Sequence, residues 1–177
     1  MATKKSIIIW GFVGILIIVA LFMGSTTQAA ESKAMKCRVS CYYVYLEFLP
    51  VEDKLEGHSL GMFSRKGLAF FESGEVATFT NWGTGEHIKG KSTFLTYAMF
   101  TFEDGSTIEG KYEGTGEPMP KGLMLFNGRG NYIKGTGRFE GIEGSFTWSG
   151  KTLTPYSKET KSDFYFDVVG TYTLPPK

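Results

Sequence analysis

Apolar and polar residues alternate with a period of two through much of the chain beyond residue 37, and no window sustains the 3.6-residue period of an amphipathic helix. Residues 38–49 illustrate the pattern. Alternation puts Val39, Cys41, Tyr43, Tyr45 and Glu47 on one face and Tyr42, Val44, Leu46 and Phe48 on the other. Both faces are largely apolar, as expected of a wall covered on one side and facing a filled or ligand-holding interior on the other. Short strands are predicted next over 58–64, 68–72 and 75–80, separated by Arg65-Lys66-Gly67 and Ser73-Gly74. The stretch Phe71 to Val76 reads as a hairpin, with Gly74 where a positive φ is needed. Gly83-Thr84-Gly85 predicts a further turn, 91–102 a long strand, Glu103 to Ser106 a tight turn, and 107–112 the returning strand. Pro118 and Pro120 break the pattern; strands follow over 122–126 and 130–135. A polar loop over 155–162 precedes a last strand, 164–174, that ends at Pro175-Pro176.

The run from Ile133 to Gly150 is the most distinctive. Glycines stand at 135, 137, 141, 144 and 150, with Phe139, Ile142, Phe146 and Trp148 between them. Each glycine costs a helix interior about 1 kcal/mol relative to alanine, so this density excludes a helix. Strands that bend, bulge or pack backbone against backbone do use it. The segment therefore predicts strand, tight turn, strand. Gly-Thr-Gly recurs at 83, 114 and 135, but the unequal spacing indicates shared turn chemistry rather than a repeat. Short strands with glycine turns throughout predict an all-β domain, a sandwich or a barrel.

The first thirty residues follow a different pattern. Lys4 and Lys5 precede Ile7 to Met23, which carry no charge, and then Gly24 to Ala30, which are small or polar. This is the layout of a secretory signal, with Thr27 and Ala29 suited to a cleavage site after Ala29. The apolar segment is also nearly long enough to stay behind as a membrane anchor through residues 7–23. Either outcome predicts an exported domain: signal or anchor over 1–30, linker over 31–36 and β-domain over 37–177. Residues 1–30 hold two of the 19 basic residues and none of the 18 acidic ones, leaving a formal charge of −1 on the remainder. That balance excludes the basic footprint of a nucleic-acid binder.

Tyr132 to Gly144 has the spacing Gly-x-Gly-x-Phe-x-Gly-x-x-Gly, and the last strand, Phe164 to Tyr172, is aromatic with one glycine. Here the chain resembles the allene oxide cyclase-like barrel superfamily, which also holds the plant dirigent proteins. Tyr42 to Phe48 is similar to the first barrel strand of the cyclases. The resemblance implies an eight-stranded antiparallel barrel with an apolar interior, often assembled as a trimer, without a cofactor. In the cyclases a glutamate ending the first strand, near a proline, is associated with ring closure of an unstable fatty-acid epoxide. Glu47, followed by Pro50, is the nearest match, although Phe48, Leu49 and Val51 stand where the cyclases carry polar residues.

Candidate chemistry is sparse. Glu47 is the candidate catalytic residue: on an apolar face and inward, it would have a raised pKa suited to acid–base work, and outward it would be an ordinary surface carboxylate. His58 and His87 are the only histidines and lack a close metal-ligand spacing, so no metal site is predicted. Cys37 and Cys41 lie i and i+4 in a predicted strand, roughly 13 Å apart and beyond disulfide reach unless the chain turns there. No serine stands in a nucleophile elbow, and the Gly-Thr-Gly run lacks the following helix of a dinucleotide loop. Aromatic residues make up 15% of the chain. Tyr43, Tyr45, Phe70, Phe79, Tyr97 and Phe100 are the candidate lining of a site for a small hydrophobic, lipid-derived ligand; simple filling of a barrel is the competing reading. The sequence thus predicts an exported barrel that binds such a ligand. The alternatives are a cofactor-independent isomerase or cyclase using Glu47, and a non-catalytic envelope protein that assembles as a dimer or trimer.

Overall fold

The computed structural model describes residues 31–157 and 161–176. The predicted signal or anchor segment, residues 1–30, lies outside them. Eight strands follow one another: β1 Lys33–Pro50, β2 Ser59–Phe71, β3 Val76–Ile88, β4 Lys91–Thr101, β5 Thr107–Met119, β6 Leu123–Thr136, β7 Glu143–Thr152 and β8 Asp163–Thr173. Each pairs antiparallel with the next, and β8 pairs with β1, so the sheet closes as an eight-stranded antiparallel barrel. Closure leaves no unpaired sheet edge. The all-β barrel expected from the sequence is therefore the fold.

The turns form where glycine permits a left-handed backbone. Gly74 has φ +87° in the β2–β3 hairpin and Gly105 has φ +80° between β4 and β5. The glycine-rich run is strand, turn, strand as predicted, with a short 3-10 turn over Gly137–Phe139.

Other glycines expected to break strands instead lie inside them. The Arg65-Lys66-Gly67 stretch is continuous strand within β2; Gly83 to Gly85 lies within β3, and Gly114 to Gly116 within β5. The two strands predicted over 122–126 and 130–135 are one strand, β6, and β1 begins at Lys33, inside the stretch read as a linker. The physical reason is close approach. A Cβ on Gly67 would overlap the Ser40 carbonyl oxygen of β1, and one on Gly114 would stand 2.5 Å from Trp148 Cζ2 and 3.0 Å from Phe94 Cε2. These glycines make room for a neighbouring backbone or an aromatic ring on the inner face.

The interior is packed with those rings. Phe79 meets Phe100 and Phe166 with centroids 5.6 and 5.4 Å away, Phe102 lies against Phe139 at 4.9 Å, and Trp148 contacts Phe94, Tyr112 and Phe166. Ala69, Ala77 and Ala98 supply the small residues between them. A void of about 20 Å³ remains among Phe79, Phe100, Ile108 and their neighbours, too small for a ligand. Among the described residues, no helix is long and apolar enough to cross a membrane.

Candidate functional site

Inward positions along β2 are Gly61, Phe63, Arg65, Gly67, Ala69 and, at its end, Phe71; all but Arg65 are small or apolar. The strand's parity forces that arginine into the barrel, where it is 5% exposed and the one buried charged residue among those described. Its guanidinium carbon stands 4.5 Å from the ring centre of Phe63, 4.6 Å from Phe164, 4.7 Å from Tyr43 and 5.9 Å from Phe126. One Nη donates to the Tyr43 hydroxyl at 3.0 Å, whereas Nε has no acceptor among the described residues. The titratable groups that act on it are the hydroxyls of Tyr43 and Tyr112 and the thiol of Cys41. None of the three is a carboxylate.

More polar atoms lie in the same layer of the barrel. Asn81 Nδ2 donates to the Tyr112 hydroxyl at 2.7 Å, and the Thr96 hydroxyl bonds to the same Tyr112 oxygen, while Asn81 Oδ1 and Trp148 Nε1 are buried without partners among the described residues. Asn81 and Thr96 are fully buried. Burial pushes the Tyr112 hydroxyl up to about 12 and does the same to the Cys41 thiol; both stay protonated at neutral pH. Cys37, higher on the same face of β1, is also raised to about 12, first by burial and then by Asp167. Both cysteines are free, buried thiols on one strand. Their geometry is the extended one that keeps i and i+4 apart, and their protonation removes the thiolate needed for reactivity.

The candidates read from sequence divide between the two faces. Phe79 and Phe100 are buried inside, and Tyr43 is half-buried against Phe63, Phe164 and Tyr156. Tyr45, Phe70 and Tyr97 are each close to half exposed on the outer wall. Glu47 is exposed there too, accepting a hydrogen bond from the Tyr45 hydroxyl. The simple alternation that grouped Tyr43, Tyr45 and Glu47 fails at a bulge, where the β1–β2 register shifts between Tyr43 and Tyr45. One extra residue reverses every later side chain, so Leu46 becomes half-buried against the core. Arg65, Asn81, Thr96 and Trp148 were not among the candidates. Reading β2 as one strand would have exposed the first of them, since Arg65 shares its parity with Phe63 and Ala69.

Outside the barrel, the ladder carries an apolar row. Tyr45, Ser64, Trp82 and Tyr97 stand side by side across β1–β4, beside Met62 and Leu95 in the next row. Trp82 is 50% exposed and Met62 60%. An open groove follows this face past Leu60, Met62 and Leu95 towards Glu113, Arg129 and Val169.

The two histidines sit near the end of the barrel that carries the β1–β2 loop. His87 packs edge-on against Phe48 at 4.8 Å, and burial lowers its pKa. His58 Nδ1 lies 2.6 Å from Asp53 Oδ2 and Nε2 lies 3.1 Å from Glu86 Oε1, clipping the loop to β3. Asp53 raises the pKa of His58 chiefly through its hydrogen bond, with Glu86 adding to it, and that of Asp53 is lowered by the Leu55 amide and His58. The sign of the pH dependence follows. The His58 contribution is complete below its unfolded value of 6.5 and fades as pH rises through the raised folded value. Asp53 contributes above its unfolded value of 3.8 and loses its contribution as pH falls through the lowered one. An NMR titration should therefore give His58 a midpoint above 6.5, with residues 51–58 shifting in step and His58→Gln removing the transition. A midpoint at or below the unperturbed value would rule out the clip. No cluster of His, Cys, Asp and Glu among the described residues could hold a metal ion.

No protein-family model matches the sequence, and a comparison with curated proteins gives no match. Among solved structures, the chain is similar to the pterocarpan synthase dirigent protein GePTS1, at 12% identity over 85% of this chain and 91% of that one, with a TM-score of 0.47. It is also similar to the pterocarpan synthase dirigent protein PsPTS1, at 13% identity over 85% of this chain and 98% of that one, with a TM-score of 0.40.

Proposed function

We propose that this protein is a binding barrel for a small, largely apolar molecule, received in the half of the interior that holds Arg65. The observation that carries this reading is the set of buried, unpartnered polar atoms, Arg65 Nε, Asn81 Oδ1 and Trp148 Nε1, inside an aromatic wall. Such atoms cost a folded protein about 1–3 kcal/mol each when nothing satisfies them. A core selected for stability alone would carry apolar side chains there. Aromatic walls with a few convergent polar groups are the usual make-up of a ligand site. The rings around Arg65 close over it in this structure, so a ligand enters by displacing side chains such as Tyr43, whose ring is only half-buried. The isomerase alternative, which follows from the resemblance to the allene oxide cyclases, would need a carboxylate in the interior, and Glu47 stands on the outer wall.

A second reading rests on a different observation. The exposed row of Tyr45, Trp82 and Tyr97 with Met62 and Leu95 is an apolar outer surface of the kind that marks an interaction site. It supports assembly as a homo-oligomer, and assembly is compatible with ligand binding. Export, with residues 7–23 as signal or tether, remains part of the proposal.

Native mass spectrometry of the purified full-length chain, followed by solvent extraction, tests both readings. The expected result is a stoichiometric small-molecule adduct. An empty chain that also takes up no apolar probe would exclude the binding barrel, and a single dimeric or trimeric mass would then leave assembly as the function.

A further inference from the structure

Resting on the binding-barrel reading, we infer that the ligand is an apolar monocarboxylate whose carboxylate is received by the guanidinium of Arg65. Charge sets the first constraint. Arginine keeps its proton in any protein environment, and among the described residues Arg65 is the one buried charge. One negative charge on the ligand neutralises the interior, whereas a doubly charged phosphate would leave a net buried anion.

Geometry sets the second. A guanidinium recognises a planar carboxylate through two parallel N–H donors, and one of its edges joins Nε to an Nη. Nε is unpartnered among the described residues, and the Nη bond to Tyr43 goes to a phenolic hydroxyl that a carboxylate oxygen can replace or share. The surroundings set the third. Phe63, Tyr43, Phe164 and Phe126 form the cage about the cation, so what adjoins the carboxylate meets ring faces and edges rather than water. An apolar body is stabilised there and a polar one is not. The aromatic contacts hold the guanidinium in place when the site is empty, which spares the ligand the cost of ordering it.

The test compares phenylacetate with its neutral isostere phenylacetamide, and with acetate, by calorimetric titration of the full-length chain and of Arg65→Met and Arg65→Lys. The expected outcome is one phenylacetate per chain, bound at least ~10-fold more tightly than the amide, as expected for a buried charge-assisted pair. Arg65→Met should erase that preference by lowering the acid's affinity at least ~10-fold more than the amide's. Arg65→Lys, which keeps the charge but loses the planar fork, should retain part of it. In the unsubstituted protein the Arg65 Nε–H resonance should move on adding phenylacetate, a readout that needs no variant to fold.

Equal affinity for acid and amide would overturn the carboxylate inference and leave the binding barrel standing. Acetate binding as tightly as phenylacetate would overturn the apolar body and reduce the site to one for a simple anion. A preference for acid that survives Arg65→Met, or an unmoved Nε–H resonance, would overturn the role of Arg65. No binding of any of the three probes would overturn the inference, while an adduct found by mass spectrometry would still uphold the binding barrel.

Discussion

Gly128→Val should unfold the barrel or lower its stability by about 3 kcal/mol or more, beyond the usual cost of overpacking a core. A Cβ at this inward position of β6 would overlap the Glu113 carbonyl oxygen of β5 and stand 2.8 Å from both Gly114 Cα and Trp148 Cε2. Two of those three obstacles are backbone, and a rotamer change cannot relieve them. The indole cannot easily withdraw either, because it is held against Phe94, Tyr112 and Phe166. Moving it would disturb the packing next to Arg65, since Tyr112 adjoins both. Thermal and denaturant unfolding followed by circular dichroism measure the change. Thr93→Val, at an exposed position of β4, serves as the comparison and should shift stability by less than ~0.5 kcal/mol. A Gly128→Val barrel as stable as that control would mean that Trp148 does not lie over a glycine floor.

Arg65→Met should do the opposite and raise stability. Methionine has nearly the length of the arginine stem, fills irregular space and packs well against aromatic rings. Exchanging buried charges for apolar groups of similar volume stabilises proteins by up to about 4 kcal/mol. Part of that gain is offset by the lost cation–π attraction, about 2 kcal/mol for the desolvated cage taken as one site. A net gain of about 1–2 kcal/mol is the expected balance. Chemical denaturation of the ligand-free protein checks it, with an unchanged m-value showing that the native state has kept its compactness. A rise in stability together with lost discrimination between acid and amide would place Arg65 among residues kept for function at the expense of stability. A large loss of stability would instead mean that the aromatic cage alone satisfies the guanidinium, and that it is a structural plug.

Much of the fold was legible because its signals are local. Alternation of period two, the absence of a helical period, and glycine at hairpin tips such as Gly74 and Gly105 each depend on a few neighbouring residues. The glycine-rich hairpin around Gly137 and Gly141 could be read for the same reason, since both adopt positive φ, at +60° and +75°. The candidate site was far less legible. Phe79 and Phe100 could be proposed as interior residues from their aromatic character, but Phe70 and Tyr97 have that character too and point outward. Arg65 was concealed because arginine, lysine and glycine in succession have the composition of a polar turn.

The sequence by itself determined that this protein is an all-β chain with glycine turns, abundant aromatic residues and no metal or nucleophile motif. Backbone propensity and side-chain size act within a few residues, so these properties need no knowledge of the distant chain. Only the tertiary structure decided which glycines turn the chain and which make room within it, because Gly67, Gly114 and Gly128 are required by atoms of other strands. It alone decided which face of β1 looks inward beyond Tyr43, since a single bulged residue reverses the alternation. Closure of β8 onto β1 then fixed what the interior holds. It encloses Arg65 among four rings contributed by β1, β2, β6 and β8, a cluster drawn from across the chain that exists only once the barrel is shut.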